Sequence, residues 1–94
     1  MTEDQIVKRR VQLLEAEVDG ELVALDVDQG NCYGFNATAT RVWAMLDEPK
    51  RVSELRDALL EQYEVDPETC ERELIALLQD LESQGLLELE RAAA

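Results

Sequence analysis

Apolar residues recur along this chain first at every second position and later at every third or fourth. Leu14, Ala16 and Val18 alternate with Glu15 and Glu17, and Val23, Leu25 and Val27 repeat the same period a few residues on. A period of two belongs to a strand whose two faces differ. The spacing predicts strands over residues 11–18 and 21–27. Asp19-Gly20 between them is a hairpin signal, because glycine takes the positive φ such a turn demands. Asp28-Gln29-Gly30-Asn31 is a second turn, leading into a short third strand, Cys32-Tyr33-Gly34-Phe35. Three strands joined by tight turns form an antiparallel meander, with the third strand at an edge. Residues 1–8 carry little pattern and are expected to fray, as are residues 91–94.

The period then changes. Ala39, Val42, Trp43 and Leu46 fall at i, i+3, i+4 and i+7, the stripe of an amphipathic helix that Asn36 is placed to cap. Pro49 disfavours helical geometry at Glu48 and sets the end near Asp47. A second helix is expected over residues 52–62, with Val52, Leu55 and Leu59 inward and Tyr63 at its end. Asp66-Pro67 opens a third helix, since aspartate caps and proline suits a first position that needs no amide partner. Leu74, Leu77, Leu78 and Leu81 form its core stripe, Gly85 suits the position just past its end, and residues 86–90 add a short terminal strand. The fold class expected is α+β: a three-stranded antiparallel sheet followed by a three-helix, winged-helix-like bundle, in one domain spanning residues 1–94.

Charge narrows the functions open to such a domain. Twenty-two acidic against 9 basic residues leave a net charge of −13. Nucleic-acid affinity comes largely from cations that neutralise phosphates, so neither nucleic acid nor an anionic membrane is an expected partner. The helical half resembles a helix-turn-helix, yet its would-be recognition helix, residues 67–84, carries Glu68, Glu71, Glu73, Asp80 and Glu82 against Arg72. No apolar run approaches the ~18–20 residues of a membrane span, and the first residues, Met1-Thr2-Glu3-Asp4-Gln5, are unlike a secretory signal. A cytoplasmic location is expected.

Chemistry narrows them further. The chain has no histidine, the usual general acid–base at neutral pH. Cys32 and Cys70 are too far apart in sequence for a metal motif, and neither has a histidine to activate it. Gly30 and Gly34 lack the spacing of a phosphate-cradling loop. No catalytic residue, metal ligand or cofactor is expected. Binding is the better prospect. An edge strand is a template for an added strand, and this one, Cys32-Tyr33-Gly34-Phe35, lacks the charge or proline that commonly blunts an edge. Glycine permits close approach of another backbone, and the rings offer pocket walls. The alternative is that Tyr33 and Phe35 simply pack on the helices.

The segment Leu25-Asp26-Val27-Asp28-Gln29-Gly30-Asn31-Cys32-Tyr33-Gly34-Phe35-Asn36, followed by Ala39-Thr40-Arg41-Val42-Trp43, resembles the PqqD-like family, the RiPP recognition elements. It is most similar to the free-standing members from lasso-peptide biosynthesis. Their strand ends in Tyr-Gly-Leu-Asn and their helix holds Ala-x-x-Ile-Trp; here Phe35 and Val42 replace the leucine and isoleucine. Arg51-Val52-Ser53-Glu54-Leu55 matches the family's Thr-Val-x-Glu-Ile turn except at Arg51, which removes a capping threonine. The resemblance spans residues 11–89.

That resemblance implies a non-catalytic adaptor that binds the leader of a ribosomally made precursor peptide. The leader would lie as an added antiparallel strand on Cys32, Tyr33, Gly34 and Phe35. A flank of the third helix would clamp it, for which Glu71, Arg72, Ile75 and Gln79 are the candidates. A leader peptidase is the implied partner enzyme, with the cyclase of the same pathway as a further one. Within the family, an adaptor for another enzyme such as a radical-SAM peptide modifier is the alternative. Outside it stand a winged-helix DNA-binding regulator and an oligomerisation module whose edge strand pairs with its own copy.

Overall fold

The computed structural model describes residues 2–90. Along the chain run β1 (Ile6–Arg9), β2 (Leu14–Val18), β3 (Glu21–Asp26), β4 (Asn31–Phe35), α1 (Ala37–Met45), β5 (Lys50–Arg51), α2 (Val52–Gln62), α3 (Pro67–Ser83) and β6 (Leu87–Glu90). The strands form two antiparallel sheets of three, ordered β2-β3-β4 and β5-β1-β6.

The meander forms as its turns dictate. Asp19 and Gly20 both take positive φ, 53° and 81°, as a tight hairpin requires, and β2 pairs with β3 from Val18↔Glu21 to Leu14↔Leu25. In the next turn the Asp26 carboxylate accepts the amides of Asp28 and Gln29 at 3.1 and 3.2 Å, and Gly30 at φ 73° donates to the Asp26 carbonyl. The alternating residues legible in the sequence lie on the outer face: Val23 and Leu25 stay 41% and 40% exposed, whereas Leu22 and Ala24 between them are buried.

A single sheet was expected, and the second one is a correction. Residues 6–8, expected to fray, instead join Arg9 in β1, where Val7 is fully buried. Four residues are too few to show a period, and the partners of β1 come from Lys50–Arg51 and Leu87–Glu90, far along the chain. Such pairing is non-local and leaves no signature in any short window. The expected strand over residues 11–18 begins only at Leu14, while Val11 and Leu13 pack against the core ahead of it. Residues 91–94 lie outside the described residues.

Each helix starts and stops for identifiable reasons. The Asn36 side chain accepts the Ala39 amide at 2.8 Å, and Asp66 accepts that of Thr69 at 3.1 Å. Arg51 offers α2 no acceptor. Its first amides are taken instead by the N-terminal segment, Val52 donating to the Gln5 carbonyl at 3.0 Å and Ser53 to that of Glu3 at 2.9 Å. Glu54 meanwhile reaches back to the Arg51 amide at 3.1 Å. At the end of α3, Gly85 takes φ 79°, Leu86 donates to the Leu81 carbonyl and Gly85 to that of Glu82. This is a Schellman turn.

One core unites the layers. Val7, Trp43, Leu46, Val52, Leu55, Leu78 and Leu87 are all buried, drawn from both a sheet strand at each end of the chain and the three helices. The Phe35 ring meets Trp43 edge-on at 5.5 Å between centroids. The Arg9 guanidinium also lies over the Trp43 ring at 4.4 Å and donates to the Trp43 carbonyl. Glu15 accepts the Trp43 indole N–H at 3.0 Å and pairs with Arg9 at 3.7 Å. β1, β2 and α1 are thereby tied together at one point.

Candidate functional site

Among the described residues β4 pairs with β3 alone, so its far edge is open. That edge borders a cleft of about 310 Å³ whose opposite wall is α3. Cys32, Tyr33, Gly34 and Phe35 form one wall, and Leu77, Asp80, Leu81 and Gln84 the other, with Asn36 and Ala39 closing an end. Period two divides the strand's side chains between its faces. Tyr33 and Phe35 stand on the inner face with Ala24 and Leu22, and Cys32 and Gly34 on the outer face with Leu25 and Val23. Phe35 is buried against Trp43 and its carbonyl accepts from the Thr40 hydroxyl at 3.2 Å, so its side chain and its carbonyl are both engaged within the fold. Tyr33 is half-buried and lines the cleft. A Cβ at Gly34 would meet nothing within 4 Å, so the fold itself does not require glycine there.

The four α3 candidates lie elsewhere. Glu71, Arg72, Ile75 and Gln79 line a separate shallow groove with Glu68 and Ala76, which includes no β4 residue. Glu71 is engaged from α2, accepting from Arg56 at 3.3 Å. At 100° per residue, Leu77, Asp80 and Gln84 flank one side of the Leu74–Leu78–Leu81 stripe and Glu71 and Ile75 the other. The helical period locates both flanks without saying which one meets the sheet. Leu77, already off-centre in the apolar stripe, is the one residue whose position hinted at the answer. Within the α3 wall the Gln84 amide donates to the Asp80 carboxylate at 3.0 Å.

At its Asn36 end the cleft meets a second cavity of about 310 Å³ between α2 and α3. The two share Asn36 and Leu77, and the second adds Leu59, Tyr63, Val65, Cys70 and Leu74. Its walls are mostly apolar. Burial pushes the Cys70 thiol above its ordinary range, and the nearby Glu73 carboxylate adds to the shift. Among the described residues no three histidine, cysteine or acidic side chains converge as a metal site. No helix among them is long and apolar enough to cross a membrane. The arrangement as a whole suits an extended chain. It offers backbone pairing along one side, a helix wall along the other, and an apolar recess where the strand runs out.

An open strand edge set against a helix, on an α+β frame of two small sheets, defines the structural class. The family follows from comparison. Residues 21–87 match the family model described as Coenzyme PQQ synthesis protein D (PqqD), and the chain therefore belongs to the PqqD family, as a PqqD-like RiPP recognition element. Among solved structures it is similar to TbiB1 in complex with the TbiA(beta) leader peptide. Identity there is 36% and the TM-score 0.76, over 93% of this chain and 99% of that one. It is also similar to a lasso peptide synthetase B1 complexed with the leader peptide, at 26% identity and a TM-score of 0.73, over 87% and 96% of the two chains. No curated protein matches this chain in sequence.

Proposed function

We propose that this protein is a leader-peptide-binding adaptor of lasso-peptide biosynthesis, acting through binding and not catalysis. The carrying observation is the open, uncharged edge of β4 facing Leu77 and Leu81 across a cleft. Both structural relatives described above were solved with leader peptides bound, which supports the same ligand here. The leader adds as an antiparallel strand on Cys32, Tyr33, Gly34 and Phe35. Alternate side chains of that strand turn inward, toward Tyr33, Leu77 and Leu81. An antiparallel leader reaches the Phe35 end of β4 with its earlier residues, so an apolar side chain upstream of the pairing segment falls at the Tyr63–Cys70–Leu74 recess. The adaptor then presents the leader to the pathway's peptidase, and the cyclase completes the ring.

Replacing Gly34 by proline tests this reading, since it removes an amide donor from the edge and crowds the approach. Calorimetric titration with the synthetic leader should show saturable binding to the parent chain and none to a folded G34P variant. Undiminished affinity in that variant would rule out strand addition at β4.

A further inference from the structure

Along α3 and its cap, Glu73, Leu77, Asp80 and Gln84 stand at i, i+4, i+7 and i+11. At 100° per residue they fall within about 60° of one another, a single stripe down the helix. Leu77, Asp80 and Gln84 belong to the helix wall of the cleft. Glu73 lines the recess that opens from it, and Leu77 lines both. The stripe therefore follows the proposed path of the leader from recess to cleft.

The two acids of this stripe have no counter-charge. Among the described residues neither lies within ion-pair distance of a lysine or arginine, and no lysine or arginine lines either cavity. The Asp80 carboxylate accepts from the neutral Gln84 amide, which leaves its charge unbalanced. Glu71, on the opposite flank of α3, differs in pairing with Arg56 at 3.3 Å. The β4 wall adds no charge, so a chain in this path meets two anions and no cation. A positive side chain is favoured there and a negative one penalised.

Spacing makes the demand specific. Seven helical residues set Glu73 and Asp80 about 10.5 Å apart along the axis. An extended chain covers that distance in about three residues, and its inward side chains recur at every second one. Long basic side chains at inward positions two or four apart therefore reach both acids. The recess opens at the Asn36 end of β4, so an antiparallel leader meets Glu73 before Asp80. We propose that Glu73 and Asp80 select leaders carrying two inward lysine or arginine side chains, two or four residues apart, the upstream one paired with Glu73 and the downstream one with Asp80. This rests on the leader-capture reading and adds to it which leaders are taken. Both acids are exposed, so water and salt screen the pairs, and they discriminate between leaders more than they hold any one of them.

The test uses the synthetic, labelled leader of the same biosynthetic system, with affinity read by fluorescence anisotropy and the fold of each variant checked by circular dichroism. Glu82 is the control, an exposed acid of α3 half a turn away from the stripe and outside both cavities. Expected are losses of about fivefold or more in each of E73K and D80K, and a change of less than about twofold in E82K. Exchanging the leader's downstream basic residue for glutamate should weaken binding to the parent and restore binding to D80K, the signature of a direct pair. Should a lysine variant fail to fold, E73Q and D80N read the same order, with smaller losses of about twofold. Unchanged affinity in either acid's variants, an equal loss in E82K, or a leader with no lysine or arginine in its paired segment would overturn the selection. A parent that binds no leader refutes the capture reading itself, and this inference with it.

Discussion

Cys32 and Cys70 show how far a residue's environment departs from its identity. In sequence they are two unpaired thiols without a histidine, both equally suited to burial as small hydrophobes. In the structure Cys32 is exposed on β4 and Cys70 is buried between α2 and α3. Burial raises the Cys70 pKa, so its reactive thiolate is scarce at neutral pH as well as shielded. Iodoacetamide should therefore label Cys32 in the native protein well before Cys70, as read by peptide mass spectrometry, and saturating leader should slow labelling of Cys32. Equal rates at the two sites would contradict the burial. Labelling of Cys32 indifferent to leader would place the ligand away from β4. Tyr33 and Phe35 divide similarly: the sequence offered both as pocket walls or core, and the structure makes Phe35 core and leaves Tyr33 in the cleft.

At the scale of elements, the helices were legible because their signals are local. Asn36 and Asp66 cap where their side chains permit it, and Gly85 ends α3 at the position only a positive φ can serve. The loss of the threonine before α2 is met by the Gln5 and Glu3 carbonyls, a remedy from 47 and 50 residues away that no local motif reveals. The same non-locality hid β1 and its sheet. It also hid the cleft wall, because helical spacing defines two flanks of α3 and only tertiary packing chooses between them. Leu77 and Ile75 are matched for a test of that choice, both partly buried against the core, on opposite flanks. Leu77→Ala should weaken leader binding by about 1–3 kcal/mol, the cost of losing an anchoring contact, and Ile75→Ala should leave it near the parent value. Both should lower the urea midpoint of unfolding. Calorimetric titration giving the reverse order would return the contact to the Glu71–Gln79 flank.

For the whole molecule, composition excluded more than it identified. A net charge of −13 with no histidine argued against nucleic-acid binding and acid–base catalysis, while the ligand came from the edge strand and the family resemblance. The outer sheet face was visible as an alternation, yet the sequence could not say whether Val23 and Leu25 or Leu22 and Ala24 faced the core, because both sets are apolar. If capture depends on main-chain pairing and apolar pockets, leader affinity should change by less than about tenfold between low and physiological salt. A steeper slope in fluorescence titrations would mean that the acidic surface, and not the strand edge, supplies the attraction. The central claim is that the leader becomes a strand on β4, and amide hydrogen exchange tests it most directly. Leader binding should slow exchange of the outward amides of Asn31–Phe35 and leave the solvent-facing flank of α3 around Arg72 and Gln79 unchanged. Protection confined to that flank or to the β2 edge, with β4 exchanging as in the free protein, would contradict the account.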